Sequence, residues 1–88
     1  MNEIKLIIAD DHELFRNGLA ELLRKYDDLK IVKSVGDGLE FMELVNSQFE
    51  ADIVLLDITM PNMDGFQVLK ELKNSTSDIK PIVISMHN

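Results

Sequence analysis

Residues 51–65, ADIVLLDITMPNMDG, are the stretch from which the fold of this 88-residue chain can be deduced. The stretch opens with a run of Ile, Val and Leu, which is typical of a strand buried on both faces of a parallel sheet. The run ends at Asp57, so one carboxylate is expected at the carboxyl end of the strand, where ligands bind in open α/β sheets. Pro61 and Gly65 then predict a rigid turn before the next helix.

Strand and helix patterns alternate along the rest of the chain. Apolar runs predict strands at residues 4–9, 29–35, 52–57 and 80–85, the second with one polar face. Apolar residues at steps of three and four predict three helices. The first covers about residues 12–26, the second begins after Asp37 as its N-cap, and the third covers residues 64–73. The side chains expected to point inward are Leu14, Phe15, Leu19, Leu22 and Leu23 in the first helix, Leu39, Phe41, Met42, Leu44, Val45 and Phe49 in the second, and Phe66, Val68, Leu69 and Leu72 in the third.

This alternation predicts an α/β fold with a doubly wound parallel sheet and right-handed crossovers, in the order β1-α1-β2-α2-β3-α3-β4. The length fits one small domain over residues 1–88. Three helices shared between the two faces of four strands are too few to cover both faces. We therefore expect part of the apolar surface to remain open.

The composition excludes several classes of function. A net charge of -7 argues against direct binding of nucleic acid, which requires a basic face. The absence of cysteine excludes disulfide and thiol chemistry and fits a reducing compartment. No stretch resembles a membrane helix or the apolar core of a signal peptide, so we expect a cytoplasmic protein with no membrane partner.

Oxygen-bearing side chains follow three of the predicted strands. Asp10 and Asp11 end the first strand, Asp57 ends the third and Ser85 ends the fourth. Neighbouring parallel strands would bring these groups to one edge of the sheet, where the carboxylates would repel each other unless a cation is bound. Mg²⁺ prefers a few carboxylates together with carbonyl and water oxygens. A metal, a nucleophilic acid and a hydroxyl together suggest phosphoryl chemistry.

Each of these residues taken singly also has a purely structural interpretation. Asp10 and Asp11 can cap a helix N-terminus, and Asp57 can begin a turn. Thr59 and Ser85 can be hydroxyls bonded to nearby backbone. We expect His12 to be a surface residue in the first helical turn with no ligand role. Only the joint pattern of three strand ends favours a functional site.

These residues together resemble the receiver domain of two-component response regulators. The resemblance rests on Asp10-Asp11, on Asp57 with Thr59, Met60-Pro61 and Asp64-Gly65, and on Ser85. The opening ADDHELFRNGL is similar, more narrowly, to receivers of the NarL/LuxR (FixJ) type of transcription regulator. The resemblance covers all 88 residues and implies a flavodoxin-like, CheY-like fold.

The resemblance implies a role for each matching residue. Asp57 would accept a phosphoryl group from a histidine kinase, or from a small donor such as acetyl phosphate. Asp11, Asp57 and the Thr59 backbone carbonyl would bind Mg²⁺ directly, and Asp10 would act mainly through water. Ser85 would bind a phosphoryl oxygen, and the Thr59 side chain would tune the lifetime of the acyl phosphate. DNA would be contacted only through an output domain not present in this sequence.

The chain also departs from the family pattern. Receivers carry a fifth strand, a lysine before it that contacts the phosphoryl group, and two further helices, none of which follows Asn88. Lys80 is a poor substitute for that lysine. We therefore expect a receiver truncated after the fourth strand, which self-associates or swaps elements to complete its sheet.

Two functions remain open from the sequence. The first is a phosphoacceptor that catalyses, at most, its own phosphorylation and dephosphorylation and is not otherwise an enzyme. The alternative is a receiver-like interaction or dimerisation module without productive phosphotransfer. A hydrolase with an aspartate nucleophile is a weaker third, because such enzymes place an acid two residues after the nucleophile and this chain has Thr59.

Overall fold

Four parallel strands form one sheet in the computed structural model, which describes residues 3–84. The strands are β1 (Ile4–Ala9), β2 (Leu29–Val35), β3 (Ile53–Asp57) and β4 (Lys80–Ile84). The helices are α1 (Glu13–Leu23), α2 (Gly38–Asn46) and α3 (Gly65–Lys73). The strand order is β2-β1-β3-β4, so the chain reverses its direction of winding between β1 and β3. This confirms the predicted doubly wound fold and places its switch point, where such sheets bind ligands, between β1 and β3.

The register of the strands fixes which strand ends meet at this switch point. Ala9 of β1 pairs with Leu56 of β3, so the residues that follow them, Asp10 and Asp57, lie side by side. On the other side of β3, Asp57 pairs with Ile84 of β4. The predicted meeting of the first and third strand ends is therefore confirmed.

One face of the sheet carries the main core. Successive residues of a strand point to opposite faces, and Ile7, Ala9, Val54 and Leu56 all point to the face covered by α2 and α3. These four side chains are fully buried. They pack with the apolar faces of both helices, whose buried members are Phe41, Met42, Val45, Val68 and Leu72. This core fixes the position of β3, at whose end Asp57 lies.

Among residues 3–84, the opposite face is covered by α1 alone, and the predicted apolar stripe of that helix is at most half-buried. No residue of α1 is buried, and Leu14 and Leu22 are 86% and 56% exposed. On β4, Ile82 is also half exposed on this face, and its neighbour Val83 is 45% exposed on the other face. The expectation that Leu14 and Leu22 point into a core is therefore wrong, because one helix cannot enclose this face. The expectation of open apolar surface is confirmed for the described residues.

The helix ends differ from the predictions in small ways. α1 ends at Leu23 rather than at residue 26, because the Tyr26 N–H bonds to the Leu23 carbonyl in a turn that leads into β2. Asp37 caps α2 as predicted, with its side chain accepting from the Glu40 N–H at 2.8 Å. Phe66 of α3 is 67% exposed rather than inward, since it lies on the outer side of the helix from Val68. Among residues 3–84, no helix has the length and apolarity needed to span a membrane.

Candidate functional site

Asp57 ends β3 with one carboxylate oxygen oriented by the backbone and the other left without a partner. The residue is only 4% exposed. Its Oδ1 atom accepts a hydrogen bond of 3.2 Å from the N–H of Thr59, two residues later. Its Oδ2 atom is buried and has no hydrogen-bond partner within the described part of the chain. A buried acceptor without a partner is costly, so this oxygen is suited to a ligand that carries positive charge.

Asp10 has the same arrangement on the neighbouring strand. It is 2% exposed, and its N–H donates to the Val35 carbonyl at 3.1 Å. Its Oδ1 atom accepts from the N–H of His12, again two residues later, at 2.7 Å. Its Oδ2 atom, like that of Asp57, is buried without a partner in residues 3–84. Two such oxygens on adjacent strand ends fit a hard divalent cation better than any structural role as helix caps.

His12 and Asp11 complete this group of side chains. The Nδ1 atom of the His12 ring lies 2.9 Å from Asp10 Oδ1 and 3.0 Å from Asp11 Oδ1. One donor atom from each of Asp10, Asp11, His12 and Asp57 lies within 4.8 Å of all the others. We call these four residues the acidic pocket.

His12 is a surface residue, as expected. Its side chain is 60% exposed, and its ring also contacts two of the predicted ligands, Asp10 and Asp11. The sequence Asp10-Asp11-His12 contains part of the signal for this contact. An aspartate commonly bonds to the N–H two residues later, and this bond brings the side chain of that residue close to the carboxylate.

The loop after β3 is held in place by backbone contacts. The Gly65 N–H donates to the Ile58 carbonyl at 2.7 Å, which closes the loop between Asp57 and α3. A Cβ atom on Gly65 would lie 2.6 Å from Ile58 Cα and 2.7 Å from the Asp57 carbonyl oxygen, so only glycine fits there. Within the loop, Asn62 adopts a positive φ of 68° and donates from Nδ2 to Asp37 at 2.7 Å. The loop is therefore tied to both α2 and β3.

The charges of the pocket shift the pKa of two of its members. Burial raises the pKa of Asp57, and the charges of Asp10 and Asp11 raise it further, against the opposing effect of the Thr59 N–H. The hydrogen bond to Asp10 and the charge of Asp11 raise the pKa of His12. The negative charge of the neighbouring carboxylates contributes to both pKa shifts, although burial is the main cause at Asp57.

Two other predicted site residues differ in how far the structure describes them. Thr59 is exposed beside the pocket, with its N–H on Asp57, and the metal-binding role of its carbonyl stays a prediction. Ser85 lies outside the described residues, directly after Ile84, which pairs with Asp57. Lys80 pairs with Ile53 at the far end of the strands, so it is remote from the pocket, in agreement with the expectation that it cannot replace the family lysine.

Comparison with known proteins gives one consistent family. The protein-family model for the response regulator receiver domain matches residues 6–88 of this sequence. The transcriptional regulatory protein DegU of Brevibacillus brevis is 34% identical over 99% of this chain. The transcriptional regulatory protein LiaR of Bacillus subtilis is 34% identical over 93% of it. The chain spans 36% and 38% of the lengths of these two curated relatives.

Solved structures agree with the sequence relatives. The signal receiver domain of NarL from Mycobacterium tuberculosis matches the whole chain with a TM-score of 0.89 and 31% identity, and the match covers 70% of that domain. RcsB of Salmonella typhimurium, described as a response regulator that interacts with DNA, also gives a TM-score of 0.89, at 26% identity and over 45% of its chain. The likeness therefore includes both fold and sequence.

Proposed function

Because the chain belongs to the response regulator receiver domain family, with NarL- and DegU-type regulators as relatives, we propose that Asp57 is its phosphoacceptor. The observation that supports this most strongly is the buried Oδ2 atom of Asp57, which has no partner among residues 3–84. A carboxylate used only to begin a turn would expose this oxygen to water or pair it. Here it lies beside Asp10 at the switch point of the sheet.

The proposed reaction is transfer of a phosphoryl group from a phosphohistidine of a histidine kinase. A carboxylate oxygen of Asp57 attacks phosphorus, the new O–P bond forms, and the N–P bond of the donor breaks. The histidine nitrogen keeps the electrons of the broken bond and takes up a proton. The product is an acyl phosphate on Asp57, and acetyl phosphate can replace the kinase as a donor with acetate as the leaving group.

Mg²⁺ is the cofactor that the pocket residues fit. Asp11 and Asp57 would bind it through carboxylate oxygens, Thr59 through its backbone carbonyl, and Asp10 mainly through water. When bound, the ion offsets the negative charge of the phosphoryl oxygens as the donor approaches the carboxylates. The buried oxygens of Asp10 and Asp57 support this assignment, because each lacks a hydrogen-bond donor within the described residues. Ser85 would bind a phosphoryl oxygen, and the Thr59 side chain would set the lifetime of the acyl phosphate.

The proposal extends to the longer protein suggested by the relatives. In that longer protein, the phosphorylation state of Asp57 would control a DNA-binding output domain. The receiver domain itself would act on DNA only through this output domain. The domain would act in the cytoplasm and would catalyse only its own phosphorylation and dephosphorylation, so it is not an enzyme in the usual sense. The alternative of an interaction module without phosphotransfer is not favoured, since Asp10, Asp11 and Asp57 are all present and adjacent.

Intact mass spectrometry tests the proposed function. The 88-residue chain is incubated with acetyl phosphate and Mg²⁺, and circular dichroism confirms that each variant is folded. We expect one phosphoryl adduct, which disappears in Asp57→Asn and after removal of the metal with a chelator. The variant Asp78→Asn is the matched control, because it makes the same change at an exposed position outside the pocket and should keep the adduct. A folded chain without an adduct would contradict the proposal.

A further inference from the structure

His12 directs a ring nitrogen into the acidic pocket although most of its side chain is exposed. It is the N-cap residue of α1, with extended backbone angles, and its side chain makes no cap hydrogen bond to the helix. Its Nδ1 atom instead lies 2.9 Å and 3.0 Å from carboxylate oxygens of Asp10 and Asp11. The ring is therefore positioned by the pocket and not by the helix that it begins.

We propose that His12 Nδ1 is one of the metal ligands of the acidic pocket. It would give the pocket a higher affinity for borderline transition-metal ions, such as Zn²⁺, than carboxylates alone would give. This rests on the proposed function in one respect, namely that the pocket binds a divalent ion at all. It adds a nitrogen donor to a site otherwise assigned only oxygen donors. The consequence is a difference in affinity between metals, which depends on His12.

The spacing of the donor atoms supports a shared ion. Nδ1 lies within hydrogen-bond distance of one carboxylate oxygen each of Asp10 and Asp11. The same distances equal the separation of about 3 Å between adjacent ligands of a divalent ion with bonds of about 2.1 Å. The nitrogen, one oxygen from each of these two aspartates and one from Asp57 all lie within 4.8 Å of one another. One ion can therefore contact all four residues, either directly or, at Asp10, through water.

A second observation points to a cation independently of this spacing. The Oδ2 atoms of Asp10 and Asp57 are buried without partners in the described part of the chain, in residues that are 2% and 4% exposed. His12 does not satisfy these atoms, because its contacts are to the Oδ1 atoms of Asp10 and Asp11. A cation in the pocket would supply the positive charge that both buried oxygens lack.

The chemistry of the donor set gives the direction of the selectivity. Carboxylate and carbonyl oxygens suit Mg²⁺, whereas imidazole nitrogen suits Zn²⁺ and its neighbours in the transition series. Binding of a metal at Nδ1 releases to water the proton that Nδ1 shares with Asp10. The ring keeps a proton on Nε2, and the 60% exposure of the side chain allows this N–H to donate to water. Loss of the ring should therefore weaken Zn²⁺ binding strongly and Mg²⁺ binding little.

Isothermal titration of the folded 88-residue chain with Zn²⁺ and with Mg²⁺ measures this selectivity. In His12→Gln we expect the Zn²⁺ dissociation constant to rise by about tenfold or more, and the Mg²⁺ constant to stay within about twofold of the original. Asp11→Asn is the matched comparison, because it removes a ligand suited to both ions and should weaken both. Neither measurement depends on phosphorylation.

Imidazole ¹⁵N spectra show directly whether the ring binds the ion. The chain has only two histidines, so His12→Gln assigns the signals by difference. We expect Zn²⁺ to shift the Nδ1 resonance of His12 to a metal-bound value. Metal binding with no change at His12, or tighter binding of both ions by His12→Gln, would overturn the inference and leave the proposed function intact. No binding of either ion to the unaltered chain would overturn both.

Discussion

Asp57 occupies a position in the fold that disfavours its own ionised form. It is 4% exposed, and it lies beside the carboxylates of Asp10 and Asp11. Burial is the main cause of its raised pKa, and the single N–H of Thr59 compensates only in part. A carboxyl group with a higher pKa in the folded chain destabilises that chain once it ionises. The residue that we assign as nucleophile is therefore retained at a cost in stability.

Replacement of Asp57 by asparagine should stabilise the chain when no metal is present. Because the pKa of Asp57 is raised in the folded chain, its contribution to stability is complete at a pH below its ordinary pKa of 3.8. This contribution is lost as the pH rises through the pKa that Asp57 has in the folded chain. At about pH 7 we expect the free energy of unfolding of Asp57→Asn to be about 1–3 kcal/mol higher than that of the original chain, because the substitution removes an unpaired buried charge. The advantage should shrink toward about pH 4.

Urea denaturation at the two pH values measures this difference. Asp78→Asn serves as the control, since it removes one exposed charge without touching the pocket. A variant at position 57 that is less stable than the original chain at neutral pH would show that the carboxylate has a stabilising partner. Added Mg²⁺ should reverse the order, because it stabilises only a chain that retains its ligands.

For individual residues of the acidic pocket, the sequence predicts their meeting only in part. The positions of Asp10 and Asp57 follow from two apolar runs, because the carboxyl ends of parallel strands meet at one edge. The place of His12 does not follow from such a pattern. It depends on the turn formed by the Asp10 Oδ1 atom and the His12 N–H, whose consequence for the ring is a matter of side-chain rotamers.

Between β3 and α3, a loop with defined backbone contacts helps to position Asp57. Its closing contact is the bond from Gly65 to the Ile58 carbonyl, and its end is a capping box formed by Asp64 and Gln67. The close approach of Gly65 to the Asp57 backbone leaves no space for a side chain. A change at the start of α3 is therefore transmitted to the nucleophile by direct contact.

A single methyl group at this position should disturb the pocket. In Gly65→Ala the new Cβ atom meets backbone of Asp57 and Ile58, which cannot move without shifting the carboxylate. We expect a loss of about 1–3 kcal/mol in stability, together with weaker Mg²⁺ binding, measured by denaturation and by titration calorimetry.

Gly18→Ala is the matched control for this substitution. A Cβ atom there has nothing within 4 Å, and alanine favours a helix over glycine by about 1 kcal/mol. This variant should be as stable as the original chain or more so, with unchanged metal binding. Equal behaviour of the two variants would contradict the role assigned to Gly65.

The helices also show where patterns in the sequence lose their predictive value. Val68 and Leu72 of α3 are buried as predicted, because the helix packs across the sheet on the face that it shares with α2. Phe66 and Leu39 belong to the same apolar patterns and are exposed. An apolar residue enters a core only where another element faces it, and that information is tertiary.

For the molecule as a whole, the two faces of the sheet differ in how well they are enclosed. The face under α2 and α3 contains the continuous core, whereas the face under α1 leaves apolar side chains accessible. β4 lies at one edge of the sheet, with Ile82 and Val83 about half exposed on its opposite faces. Exposed edge strands and apolar patches of this kind favour association with another chain.

The 88-residue chain should therefore associate with a second copy of itself. In sedimentation velocity we expect a species larger than a monomer, which shifts toward the monomer in Ile82→Lys and Val83→Lys, since charges on β4 oppose contact between apolar surfaces. Lys30→Glu, on the exposed part of the opposite edge strand, is the control and should leave the distribution unchanged. A strictly monomeric original chain would contradict this expectation.

The central claim is that Asp57 carries the phosphoryl group in a metal-dependent pocket, and borohydride reduction followed by peptide mapping tests it most directly. Borohydride reduces an acyl phosphate to an alcohol and so converts the modified aspartate to homoserine. After treatment with acetyl phosphate and Mg²⁺, we expect homoserine at position 57 and at no other aspartate, and none when the metal is removed. Homoserine at Asp10 or Asp11, or at position 57 without any metal, would contradict the account.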